Sequence, residues 1–332
     1  MRHTSRMQIL STKKVGARSR GSSNDTLLRN ARLGQRTWIT LRKQRGLFAM
    51  MIVPAVLFVV FHYIPFIKVS WAFTNYGEVR ADEVSFVGWA NFERLFRLSA
   101  FKRAFTNTLI INGMKLLFYF PVPIIIALLL NEIRIIPYKK TVQTIIYFPH
   151  FLSWVVIGSI WFVLLAPQNS VNAEVSKLLG IEPIYFFASR KYIRWVLVAS
   201  DVWQGAGYGA IVYLAALTSI SPELYEAAIV DGAGKFRQIW YITLPGIRST
   251  IVILLILRVG HMLQIFEQVL IMGQPIVRQV TDVIDLYAYR TGIAEMQMGY
   301  AMAVSVFKAV IAFVLVLGTN KLARVLGEEG VF

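Results

Sequence analysis

Five ionisable side chains stand inside long apolar runs of this sequence: Lys115, Asp201, Arg258, Glu267 and Lys308. On insertion scales a charge at the centre of a membrane helix costs about 2.5–3.5 kcal/mol, so such groups turn toward a bundle interior rather than lipid. Asp201, Gln204 and Tyr208 recur at i, i+3 and i+7, and so do Arg258, His261 and Ile265. On a helix each set lines one face. Counted from the ends of their runs, Asp201 lies about 13 Å down one span, and Arg258 and His261 about 12 and 16 Å up another. In a hydrocarbon core about 30 Å thick these groups approach one level near the midplane. Two kinds of chemistry are open to them. Asp201 and Arg258 form a buried ion pair that fixes helix packing, or they meet a polar solute directly, and the two are compatible. His261 reads as a satisfied bundle histidine, with a pH switch as the alternative. Lys115 and Lys308 read as structural or partner-facing.

No constellation for making or breaking covalent bonds accompanies these residues. The chain has no cysteine, which excludes disulfides, zinc thiolates and a Cys nucleophile. No HExxH motif, Ser–His–Asp set or loop carboxylate pair occurs, and no metal ligands are assigned. GAGYGA at 205–210 follows no strand, so it reads as small residues for close helix packing rather than a dinucleotide fingerprint. Gly232-Ala233-Gly234-Lys235 resembles part of a phosphate loop, but Phe236 follows the lysine and the upstream glycine is missing. No nucleotide site is read in this chain.

The elements that position these residues are membrane spans. Of the 332 residues 56% are hydrophobic and 16% charged, and the apolar residues gather in blocks of about 20, enough to cross a bilayer. Six spans are predicted, near 47–66, 104–130, 142–166, 192–217, 250–272 and 298–319, giving an all-α polytopic bundle. The domain reading is a basic segment 1–46, a six-helix domain 47–320 with a polar hairpin at 221–247, and a tail 321–332. Pro54, Pro121, Pro123 and Pro149 interrupt spans, as transport bundles tolerate where a cavity or neighbouring helix satisfies the freed carbonyls.

Charge sets the expected orientation. The net charge is +17, and residues 1–46 hold twelve Lys or Arg against the single acid Asp25. Before a first span such an arm reads as a cytoplasmic retention signal rather than a nucleic-acid site. With the arm inside, the inner segments hold 20 Lys or Arg and the outer loops 10. Both termini and the 221–247 hairpin are then cytoplasmic. In the outer loop 74–103, FVGWANFERLF reads as packing over the span mouths, or as an interfacial piece.

The hairpin reads as two short helices around a corner. Ser221-Pro222-Glu223 is a helix start. Asp231-Gly232 is a turn signal, because Gly takes positive φ without a steric cost. Phe236, Ile239 and Trp240 then recur at helical spacing, and Leu244-Pro245 closes the unit. Small side chains at Ala227, Ala228 and Ala233 permit close approach by a partner, and Glu226 is placed to take a cation across that contact.

The pattern Glu226-Ala227-Ala228, Asp231-Gly232-Ala233, Ile242, Leu244-Pro245 resembles the coupling loop of type I ABC importer permeases of the maltose-type, binding-protein-dependent superfamily. The segments ALLLNEIR, YFPHFLSWVV and RVGHMLQIFEQV are similar to the subgroup that imports oligo- or polysaccharides, alginate-type importers in particular. The resemblance spans roughly 47–325. It implies a multi-pass permease of the bacterial inner membrane that hydrolyses nothing itself. It implies as partners a second permease subunit, two ATPase subunits carrying ATP and Mg, an extracytoplasmic solute-binding protein, the carbohydrate and membrane lipids. The loop would dock in an ATPase cleft, with Glu226 meeting a basic residue there. Asp201, Gln204, Gly205, Tyr208, Arg258, His261, Met262 and Ile265 would border the translocation path. Where maltose-type permeases have polar or aromatic residues, some of these positions hold charges. That departs from a neutral maltose-like substrate and points to hydroxyl-rich or anionic sugars, with Gln204, Tyr208, Arg258 and His261 as donors. Two other classes remain. An ion-driven secondary transporter would use Asp201, Glu267 and His261 as a proton relay, but internal repeats are missing. A membrane-embedded enzyme would lack a catalytic set.

Overall fold

A computed structural model describes residues 44–325 together with Gly327 and Gly330. The predicted arm 1–46 lies almost wholly outside the described residues, and so does most of the tail beyond 325. The chain divides into two compact units at Lys68 and Val69.

The first unit holds α1, Arg45–Phe58, which accommodates Pro54. It continues through a wide turn at Val59–Tyr63 into Ile64–Ile67. The run Arg45–Phe73 is long and apolar enough to cross a membrane.

The second unit begins with a looped segment and α2, Ala90–Arg97. Asn91 Nδ2 donates to the carbonyls of Ala72 (3.0 Å) and Thr74 (2.8 Å), which fixes α2 over that segment. Helices α3, Ser99–Tyr119, and α4, Pro121–Glu132, form one run. Pro121 is tolerated there because it occupies the first position of α4, where its missing donor is least costly. Helix α5, Ile136–Tyr147, leads through a tight turn at Phe148–Phe151 into α6, Trp154–Leu164. The stretch 142–166, expected as one span, is bent by 106° at this break. Pro149 lies at the bend, and Ser153 caps α6 by accepting from the Val156 amide at 3.4 Å. Helix α7, Val171–Leu179, ends on Gly180 in the left-handed region.

Helix α8, Ile193–Leu217, agrees with its expected bounds and packs against α3 and α4. Helix α9, Pro222–Val230, opens the polar hairpin. Helix α10, Arg248–Gly260, and α11, Glu267–Met272, replace the single helix expected over 250–272. Residues 261–266 between them are not helical. The last helix, α12, Met298–Val325, runs past the expected end at 319 and packs against α10 and α2. Among the described residues three helices are long and apolar enough to cross a membrane, and two bent pairs, α5 with α6 and the segment 235–246 with α10, raise the number to five; α8 is a further helix of 25 residues. Broken helices at membrane depth survive where protein or a cavity satisfies their backbone.

Candidate functional site

The hairpin is built around a corner at Gly232, whose φ of +74° is a left-handed conformation that favours glycine. The Ala233 amide donates to Ala228 O at 2.8 Å and the Gly232 amide to Ile229 O at 3.0 Å, closing α9. Ser221 makes no side-chain cap bond, although it precedes α9 as expected. The return limb comprises Lys235–Gln238, a wide turn at Ile239–Thr243 and Leu244–Gly246. Two bonds hold the limbs together. Buried Gln238 donates to Ala233 O at 2.8 Å, and the Tyr225 and Thr243 hydroxyls meet at 3.0 Å. Lys235 reaches Glu132 at the end of α4, at 2.9 Å. Both partners of that pair are exposed, so it contributes at most about 1 kcal/mol.

The outward side of the hairpin is apolar. Phe236 is 90% exposed, Val230 87%, Tyr241 73% and Trp240 68%. Glu226, Ala227, Asp231 and Pro245 are exposed as well, while Ala228, Ala233, Ile242 and Leu244 are half-buried. Among the described residues no hydrogen bond or ion pair engages the Glu226 carboxylate.

Halfway along the bundle, Asp201 is held by cations from two other helices. Its Oδ2 accepts from Arg258 of α10 at 2.8 Å, and its Oδ1 lies 3.2 Å from Lys115 Nζ of α3. Lys115 also donates to Gln268 Oε1 at 2.5 Å. Gln268 in turn donates to Leu197 O at 2.7 Å and to Ser200 Oγ at 2.8 Å. Lys115, Asp201 and Gln268 are buried. Burying these charges is costly, and the network offsets that cost by satisfying each polar atom. The Arg258 guanidinium lies 4.2 Å over the Tyr119 ring. Tyr119 reaches that position because residue 205 is glycine: a Cβ there would stand 2.7 Å from Tyr119 Oη.

Arg258 and Ile265 do not share a helical face, because α10 ends between them. In the unwound 261–266 segment the Ile265 amide donates to Asp285 Oδ2 at 3.1 Å, and Lys308 of α12 pairs with the other oxygen of that carboxylate. His261 is exposed, with Nδ1 2.9 Å from Leu257 O.

Three cavities share these residues. The largest, about 730 Å³, is lined by Trp71, Trp154, Gln264, Glu267 and Tyr289, by buried Ile265, and by the Lys115–Asp201 and Lys308–Asp285 pairs. A cavity of about 120 Å³ follows, with Lys115, Asp201, Arg258, His261 and Met262 on its wall. The third, about 270 Å³, takes in Arg258, His261, Tyr119 and Tyr208. The large cavity shares Lys115 and Asp201 with the second, and the second shares Arg258 and His261 with the third, so the charged cluster stands in the walls between them. Tyr208 stacks on His150 with ring centres 3.9 Å apart. Gln204 and Gly205 line none of the three. Sequence reasoning missed Gln268, Asp285, Tyr119, Trp71 and Trp154. Gln268 follows Glu267 in RVGHMLQIFEQV, but on one unbroken helix nothing in its spacing marks it as a partner of Lys115.

Residues 120–327 match the family of binding-protein-dependent transport system inner membrane components. The chain belongs to this family. As one of its members it is a multi-pass, inner-membrane transport subunit and not an enzyme. It is 41% identical over 300 residues to the polygalacturonan/rhamnogalacturonan transport system permease protein YteP of Bacillus subtilis (strain 168), covering 90% of this chain and 94% of that one. To the protein LplB of the same organism it is 40% identical over 299 residues, covering 89% and 94%. Among solved structures it is similar to a chain of a bacterial ABC transporter involved in the import of the acidic polysaccharide alginate. That match has 38% identity and a TM-score of 0.79, covering 87% of this chain and 98% of that one. A further structure, the bacterial alginate ABC transporter in complex with alginate pentasaccharide-bound periplasmic protein, gives 38% identity and a TM-score of 0.80, covering 89% and 100%.

Proposed function

We propose that this chain forms one half of the membrane pathway of an ABC importer for oligo- or polysaccharides of the acidic, uronate-containing class. The permease relatives and the alginate importer, similar along most of their length, support that class. A second permease subunit completes the pathway, and an extracytoplasmic binding protein delivers the sugar. Two ATPase subunits bind ATP and Mg on the cytoplasmic side, where both termini of this chain also lie.

One observation carries the reading: the hairpin that exposes Glu226 and an apolar surface joins the two helices that hold the Asp201–Arg258 pair. Helix α8 enters the hairpin at Leu217, and α10 leaves it at Arg248. A displacement of the hairpin by the ATPases therefore acts on both sides of the charged cluster between the large and small cavities. The mechanism is alternating access: the sugar occupies the large cavity, hairpin movement shifts α8 against α10, and the smaller cavities join the path. Glu226 and the exposed Phe236, Trp240 and Tyr241 take the ATPase surface, with Ala227, Ala228 and Ala233 allowing close approach and Gly232 forming the corner. Along the path Arg258, His261 and Tyr208 donate to hydroxyls and carboxylates; Met262 and Ile265 supply apolar contact. Gln204, half-buried on α8 and lining none of the three cavities, joins these donors when α8 shifts against α10.

The test is ATPase activity of the reconstituted complex with its binding protein, measured across uronic and neutral oligosaccharides. Stimulation by uronic oligosaccharides is expected. Stimulation by neutral ones alone would overturn the acidic class, and no stimulation by any sugar would overturn the reading.

A further inference from the structure

Helix α7 is turned the opposite way from a helix on a water-soluble protein. Its buried residues are the polar Asn172 and Ser176. Asn172 Nδ2 donates to Leu165 O (3.2 Å), Ala166 O (3.1 Å) and Ile184 O (2.9 Å), and its Oδ1 accepts from Ser176 at 3.4 Å. The inward face is thus fully bonded, and the helix is pinned by it. What remains outside is divided in two. Val171, Val175, Leu178 and Leu179 are all exposed, Leu178 to 84%. At about 100° per residue these four fall within one arc of roughly 100°, and Glu174 and Lys177 fall together on the other flank.

We propose that α7 lies flat in the lipid boundary at the end of the bundle opposite the hairpin, with the Val171–Val175–Leu178–Leu179 flank in the acyl region and Glu174 and Lys177 in water. Position supports this. Helix α8 begins after α7 and ends at the hairpin, and its 25 residues span about 37 Å. Exposed apolar residues also flank the helix in sequence, Val163 and Leu164 in the last turn of α6 before it and Ile181 and Tyr185 after it. An apolar stripe beside a charged one is the partition that a lipid–water boundary demands, and tyrosine is enriched at that level. The consequence concerns α8. Through its three bonds Asn172 ties the end of α6 to the segment that leads into α8. The boundary helix is thereby linked through the chain to the start of α8, the helix that carries Asp201.

The cysteine-free chain makes the test direct. Leu178→Cys and Glu174→Cys, made singly and spin-labelled, are placed in the complete transporter in proteoliposomes. Power saturation then compares collisions with oxygen, which partitions into lipid, and with a water-soluble nickel chelate. The label at 178 should collide several-fold more with oxygen than with nickel, and the label at 174 should do the reverse. Adding the binding protein should leave the 178 signal unchanged. Nickel access at 178 equal to that at 174 would overturn the proposal. So would a 178 label reached by neither reagent, or shielded on adding the binding protein, since a protein would then cover the flank. If Leu178→Cys does not assemble, Val175→Cys reads the same flank.

Discussion

Arg258 of α10 donates to Asp201 of α8 at 2.8 Å, and the two helices are joined only by the hairpin that carries Glu226. The other oxygen of the same carboxylate lies 3.2 Å from Lys115. One acid thus holds three helices together where the cavities meet.

Asp201→Asn leaves Lys115 buried without a counter-charge. Removing one partner of a buried pair costs about 3–5 kcal/mol. The purified complex should unfold at a markedly lower temperature, and sugar uptake should be lost. Adding Lys115→Met to Asp201→Asn should recover part of the stability, because the orphaned ammonium is gone. Unchanged thermal unfolding of the single variant would show that the carboxylate does not carry this network.

Gly205→Ala inserts a Cβ into the space occupied by Tyr119, whose Oη would be 2.7 Å away. Overpacking of this kind costs about 1–3 kcal/mol. Adding Tyr119→Phe should recover part of the loss by removing the nearest atom, although the ring edge at 3.0 Å remains. Thermal unfolding of the two variants measures this. No recovery on removing the hydroxyl would assign the damage to another contact.

Arg258→Ala should reduce stimulation of the ATPase by uronic oligosaccharides more than it reduces ATPase docking, measured by co-purification. Arg258 faces the two smaller cavities as well as Asp201, so it serves both the path and the network. An equal loss of stimulation and docking would leave it only the structural role.

Glu226→Lys reverses the exposed charge at the start of the hairpin. Uptake should be abolished and co-purification with the ATPase weakened, with membrane insertion intact by fractionation. Normal uptake would remove Glu226 from the coupling role.

Much of this was legible in the residues. The two depths counted along the apolar runs brought Asp201 and Arg258 to one level, and they meet. Asp231-Gly232 predicted a corner, and Gly232 takes positive φ. The small residues of GAGYGA read as packing positions, and Gly205 lies against Tyr119. Where the reading departed from the structure, helix continuity was the cause. Apolar length alone cannot reveal that α10 stops at Gly260, so spacing within the run puts Ile265 on the face of Arg258. Asp285 satisfies the freed Ile265 amide from a distant segment, and Lys308 partners that acid; spacing within one run carries no trace of either. The bend between α5 and α6 is half visible in the sequence, since Pro149 interrupts the run, but a proline does not by itself give an angle of 106°.

The central claim is that the hairpin passes force from the ATPases to the helices of the charged cluster. Its most direct test uses Ala233→Cys, the sole cysteine of the chain, beside the corner at Gly232. The account predicts that in the assembled transporter a short bifunctional reagent joins residue 233 to an ATPase subunit, and that the adduct changes in yield between nucleotide-free and ATP-bound states. A cysteine labelled only from the extracytoplasmic face, or one that never joins an ATPase in the complete complex, would contradict it.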